Sequence, residues 1–138
     1  MSENKQKYAT TILLILYCIF LIWAILFKFA TPTQAMMLRS TRGINLIPFD
    51  FENQIFLHFL EVMFNFVIFA PFGFLLRKLD VRILRVIIIG FLFSLIFEVT
   101  QYMMCMGISD ITDLITNTFG AAWGAGIYKT ATGLNRKK

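Results

Sequence analysis

Between Tyr8 and Phe27 the sequence reads YATTILLILYCIFLIWAILF and carries no charged residue. At about 1.5 Å of rise per residue, such a run matches the roughly 30 Å hydrocarbon core of a bilayer. No water is present there to satisfy a backbone, so the run must form a helix that bonds its own amides and carbonyls. A cleaved signal peptide has a shorter apolar core and a small-residue cleavage site. Here Lys28-Phe29-Ala30-Thr31-Pro32 follows instead, and the run reads as a retained helix.

Three further apolar runs extend this reading to the whole chain. They predict an all-α polytopic membrane protein of one domain, 1–138, with four transmembrane helices at about 8–28, 54–76, 84–105 and 110–129. Residues 29–53 form an outer loop, punctuated by Pro32, Gly43 and Pro48. Its RGINLIPFDF stretch mixes Arg42 and Asn45 with apolar side chains and reads as an interfacial anchor. The second run contains Pro71, which predicts a kink or an early helix end. Gly107 and Ser109 mark a short turn after the third run. The fourth opens on Asp110 and Asp113, which suit a helix N-terminus. Its Gly120-x-x-x-Gly124 and Ala122-x-x-x-Gly126 patterns predict close helix contact.

Composition matters chiefly for what it excludes. Charged residues make up 15% of the chain, against about a quarter in soluble domains. The sixteen phenylalanines suit a lipid-facing surface. The net charge of +5 comes from basic residues flanking apolar runs, not from a soluble basic face, which excludes nucleic acid as a partner. With both termini cytoplasmic, ten of the thirteen Lys and Arg residues lie inside, and only Lys28, Arg39 and Arg42 lie outside. The positive-inside rule selects this orientation. Cys18 and Cys105 form neither a disulfide framework nor a metal-ligand spacing, and read as small apolar fillers.

The polar residues inside these runs are the informative minority. A carboxylate at the bilayer centre costs about 2.5–3.5 kcal/mol on insertion scales, so such groups face the bundle interior. Glu61, Glu98 and Asn117 fall at matched depth, roughly 10 Å below the outer boundary at the helical rise per residue. Their neighbours share their faces: His58, Glu61 and Asn65 on the second run, Glu98 and Gln101 on the third, Asp110, Asp113 and Asn117 on the fourth. Three polar stripes at one level predict a pocket that opens outward. The plain alternative is a network that only locks the helices together. Interhelical polar bonds average only about 0.6 kcal/mol, a modest return for buried acids, which favours the pocket.

Acids with one histidine can bind a divalent cation through oxygen ligands, or act as general acid and base, with Glu61, Glu98 and Asp113 as the candidates. Arg39 or Arg42 can pair with the acids or clamp a phosphate from outside. No nucleophile motif, phosphate loop or zinc spacing is present, so no cofactor is expected beyond that cation.

The blocks RGINLIPF, NFVIFAPFGFLL, EVTQ and SDITDLITNTFGAAWG occur in this order over residues 39–126. Together they resemble the VanZ-like family. The resemblance marks Arg42, Asn45, Pro48, Phe49, Asn65, Pro71 and Gly73 as motif positions. It continues with Glu98, Gln101, Asp110, Asp113, Asn117 and Gly120, while His58 and Glu61 come from the physical reading alone. Many members carry an arginine just before the aspartate pair, where this chain has Met106-Gly107, which leaves Arg42 as the implied partner of the acids. The resemblance implies a bacterial plasma-membrane protein that lowers susceptibility to teicoplanin and related lipoglycopeptide antibiotics. Its implied partners are the drug, membrane lipids or a lipid-linked cell-wall precursor. Two other readings stand beside it. One is a membrane enzyme acting on a lipid-linked cell-envelope substrate through paired carboxylates. The other is a small interaction subunit, a homo-oligomer included, that docks through the small-residue face of the fourth run.

Overall fold

Each apolar run forms one continuous helix. The computed structural model describes residues 3–27, 42–50, 55–105 and 107–135. The helices are α1 (Glu3–Phe27), α2 (Ile55–Lys78), α3 (Ile83–Met103) and α4 (Ile111–Asn135). Of these, α1, α2 and α3 are long and apolar enough to cross a membrane. Helix α4 matches α1 at 25 residues, but many of its positions hold glycine, alanine, threonine and asparagine.

Those small residues serve close packing. A Cβ added at Gly124 would run into the carbonyl of Ala70, one at Gly120 into that of Phe66, and one at Gly73 into that of Ala121. Helices α2 and α4 therefore touch backbone to backbone, as small-residue motifs permit in lipid. Only the Gly120/Gly124 pair works this way. A Cβ on Gly126 would meet nothing within 4 Å, so the Ala122/Gly126 pattern does not mark this contact.

The phenylalanines divide between two roles. Phe69, Phe72 and Phe97 are buried, and Phe93 packs against them. Phe72 stacks on Phe93 at 5.2 Å between ring centroids, and Phe69 meets Phe97 edge-on at 6.4 Å, so aromatic pairs join α2 to α3. Others, such as Phe56, Phe59 and Phe119, stay exposed as the lipid-facing reading expects.

Helix α2 runs through Pro71 without ending. Proline has no amide to donate to the carbonyl four residues back. Beside that carbonyl, the Tyr17 hydroxyl of α1 donates to the Ile68 carbonyl at 2.8 Å. The turn after α2 closes with Val81 N–H on the Leu76 carbonyl and Asp80 N–H on the Arg77 carbonyl. This six-to-one and five-to-two pairing puts Asp80 in the left-handed region at φ 65°.

The departure from an all-helical chain lies at the opposite end of the bundle. There β1 (Arg42–Asn45) pairs in parallel with β2 (Gly107–Asp110), Asn45 opposite Asp110. The segment read as an interfacial loop and the turn read after the third run thus become one short ribbon. Parallel strands need a long crossover, and here α2 and α3 provide it.

Candidate functional site

The site begins with the start of α4. Asp110 caps this helix: its Oδ1 accepts the Thr112 amide at 2.7 Å. An uncapped helix start leaves amides unsatisfied, and aspartate is among the best caps. Its other oxygen, Oδ2, accepts Asn45 Nδ2 at 3.0 Å. Asn45 Oδ1 in turn accepts the Ile47 amide at 3.0 Å, and the Thr112 hydroxyl accepts the Phe49 amide at 3.0 Å. One carboxylate therefore joins the β1 segment to the helix start.

Glu98 supports this corner from beneath. It is 4% exposed, and its Oε2 accepts the backbone amide of Asp110 at 2.8 Å. The Ser109 side chain bonds the same carboxylate. Glu98 thus holds the ribbon against α3, and it does not line the cavity described next. Asn117 departs further from its expected place. Its Nδ2 donates to Ser94 Oγ at 2.9 Å, and both side chains are fully buried. Ser94 lies one turn before Glu98 on α3, so Asn117 cross-links α3 and α4 a turn deeper than the acids. Its Oδ1 has no hydrogen-bond partner.

A cavity of about 340 Å³ opens at this end of the bundle. Glu61 and Asn65 of α2, Gln101 of α3 and Asp113 of α4 provide its polar lining. Leu57, Leu60 and Phe64 of α2, with Ala24 and Ile25 of α1, provide the apolar remainder. Gln101 is buried and donates to the Ile25 carbonyl at 3.0 Å, which fixes the end of α1 against α3. A smaller pocket of about 20 Å³ adjoins it, sharing Glu61 and Asp113 and adding His58, Asp110, Asp50, Val62 and Thr112. His58 Nδ1 stands 3.5 Å from Glu61 Oε2.

The three polar stripes therefore separate into layers. Glu61, Asn65, Gln101 and Asp113 meet at the cavity. His58 and Asp110 lie at the adjoining pocket, and Asp110 also ties in Asn45. Glu98 supports the ribbon, and Asn117 lies deeper. Sequence reasoning missed Asp50, Thr112, Ser109 and Ser94. For Ser109 and Thr112 the only signal was polar character close to a cap, which is common in any loop, and Asp50 and Ser94 gave none. The pairing implied for Arg42, and the placement of Arg39, lie outside the described residues. Among the described residues, no group of three or more His, Cys, Asp or Glu side chains is arranged to hold a metal ion.

Apolar helices of membrane-spanning length, joined at one end around an amphipathic cavity, define a helical membrane protein. The chain belongs to the VanZ/LLP1 family, whose sequence model matches residues 14–132. It is 36% identical over 129 residues to Protein VanZ of Enterococcus faecium, a match covering 91% of this chain and 78% of that protein. The resemblance carried by the four sequence blocks is borne out. No solved structure matches the chain.

Proposed function

We propose that this protein lies in the bacterial plasma membrane with all four helices spanning and both termini cytoplasmic. In that place it lowers susceptibility to teicoplanin-like lipoglycopeptides. It acts at the outer leaflet, where its cavity engages the drug, a lipid or a lipid-linked cell-wall precursor. The observation that carries this reading is the meeting of Glu61, Asn65, Gln101 and Asp113 at one cavity, in a chain of the VanZ/LLP1 family. Charge supports the orientation: Lys7 and Lys78 border a pocket at the other end of the bundle, and Arg77, Arg82 and Arg85 flank the turn between α2 and α3 at that end. Glu61→Ala and Asp113→Ala are expected to abolish protection at unchanged membrane abundance, measured as drug susceptibility of expressing cells. Full protection by both variants sinks the proposal.

A second reading, a membrane enzyme on a lipid-linked substrate, is favoured by the His58–Glu61 pair beside Asp113. In that case Glu61 and Asp113 are the acid–base pair, since Glu98 already serves the Asp110 amide. Identical lipid profiles of cells with and without the protein count against it. For the interaction-subunit reading, the Gly120/Gly124 part of the small-residue face is packed on α2 within the chain, while a Cβ on Gly126 would meet nothing within 4 Å.

A further inference from the structure

The cavity is divided lengthwise by chemistry. At 100° per residue, Leu60, Phe64, Leu57, Glu61 and Asn65 follow one another around α2 in that angular order. One flank of this face is apolar and the other polar. The polar flank meets Gln101 of α3 and Asp113 of α4, and Ala24 and Ile25 of α1 complete the lining. Asn65 and Gln101, on the inner wall, are 7% and 5% exposed, whereas Leu57 and Leu60 are 53% and 46% exposed. The opening thus has an apolar flank, Leu57 and Leu60, and a polar one, Glu61, whose side chain is 49% exposed, while the interior ends in the carboxamides of Asn65 and Gln101. A purely polar solute leaves Leu57, Leu60, Phe64, Ala24 and Ile25 without apolar contact, and a purely apolar one leaves Asn65 and Gln101 without polar contact. A volume of about 340 Å³ lies at the lower end of small-molecule sites, which run from about 300 to 1,000 Å³.

We infer that this cavity takes one alkyl chain of an amphiphile, entering sideways past Leu57 and Leu60, with the polar group of that molecule set against Asn65 and Gln101. The inference deepens the functional reading above and rests on the same cavity. The shared chemistry is an alkyl chain joined to a hydrogen-bonding head, and either a membrane phospholipid or a lipid-bearing glycopeptide supplies it.

The test uses the full chain in lipid nanodiscs, with a phosphatidylglycerol carrying a diazirine within one acyl chain. After irradiation, adducts are mapped by mass spectrometry. Adducts are expected on the cavity residues Asn65 and Gln101, which are buried from bulk lipid, together with general labelling of lipid-facing positions such as Phe59 and Leu92. Leu60→Trp, whose ring occupies the mouth, is expected to lose the Asn65 and Gln101 adducts and keep those at Phe59 and Leu92, and Leu60→Met is expected to keep all of them. Leu57→Trp serves as a second blocking variant should Leu60→Trp not reach the membrane. No labelling at Asn65 and Gln101, or labelling there that is indifferent to both tryptophans, overturns the inference. Competition by a lipid-bearing glycopeptide, and not by its chain-free core, assigns the chain to the drug. Competition by neither assigns it to membrane lipid, and both outcomes support a chain site. The labelling does not read drug susceptibility, so the two proposals fail separately. Protection that depends on Glu61 over an unlabelled cavity removes only the chain site, and a labelled cavity with Glu61-independent susceptibility removes only the resistance reading.

Discussion

Asp110 is the residue whose two oxygens hold two different parts of the protein: Oδ1 caps α4 through Thr112, and Oδ2 binds Asn45 of β1. Asp110→Ala is expected to destabilise the protein by about 1–2 kcal/mol, the usual loss for a helix cap, in denaturant unfolding from micelles. Asp110→Asn keeps an oxygen for the cap but places an amide toward Asn45, so an intermediate loss is expected. Equal losses in both variants contradict the two-oxygen account. At this scale the sequence was half legible. The i, i+3 spacing of Asp110 and Asp113 at the head of an apolar run announces a helix start. The partner of Asp110 was hidden, because Asn45 lies 65 residues away and no local pattern joins them. Asn117 illustrates the opposite error. Helical spacing put it on the same face as Asp113, but its partner Ser94 is a residue type common throughout membrane helices and gave no signal.

Between elements, the contact of α2 with α4 sets the architecture. Gly73, Gly120 and Gly124 each stand where a Cβ would strike a backbone carbonyl of the other helix. A backbone atom cannot rotate aside, so even alanine must push the helices apart. Gly124→Ala is expected to destabilise by about 1–3 kcal/mol, as overpacking does. Gly126→Ala faces open space and is expected to stay within about 0.5 kcal/mol of wild type, the range of ordinary surface changes. Unfolding of both variants in mixed micelles measures the difference, and equal stability of the two refutes the contact. The sequence showed two overlapping small-x-x-x-small patterns and could not choose between them. The choice depends on which face of α4 meets α2, which the partner helix decides. The same contact explains why α4 is less apolar than the other helices: its inward face is built for close approach rather than for lipid.

For the whole molecule, the central prediction is orientation. Single cysteines at positions 44 and 80, in a chain with Cys18 and Cys105 replaced, are tested with a membrane-impermeant maleimide on intact cells. Ile44 is well exposed on β1, and Asp80 lies in the turn between α2 and α3. Labelling at 44 alone, with 80 labelled only after permeabilisation, is the expected result. The reverse pattern turns the cavity to the cytoplasm and removes the outer-leaflet proposal. The sequence by itself determined that the chain is helical and made for lipid, because uncharged runs as long as Tyr8–Phe27 leave the backbone no other way to bond. It also determined that Glu61, Glu98 and Asp113 needed partners, because carboxylates in such runs are too costly alone. Only the tertiary structure decided how those needs were met. It set Glu61 and Asp113 at a cavity, turned Glu98 to a backbone amide and sent Asn117 to Ser94. Depth and face can be read along one helix. Which groups meet depends on the rotation and approach of neighbouring helices, and the glycines of α4 and the ribbon at Asp110 fix both.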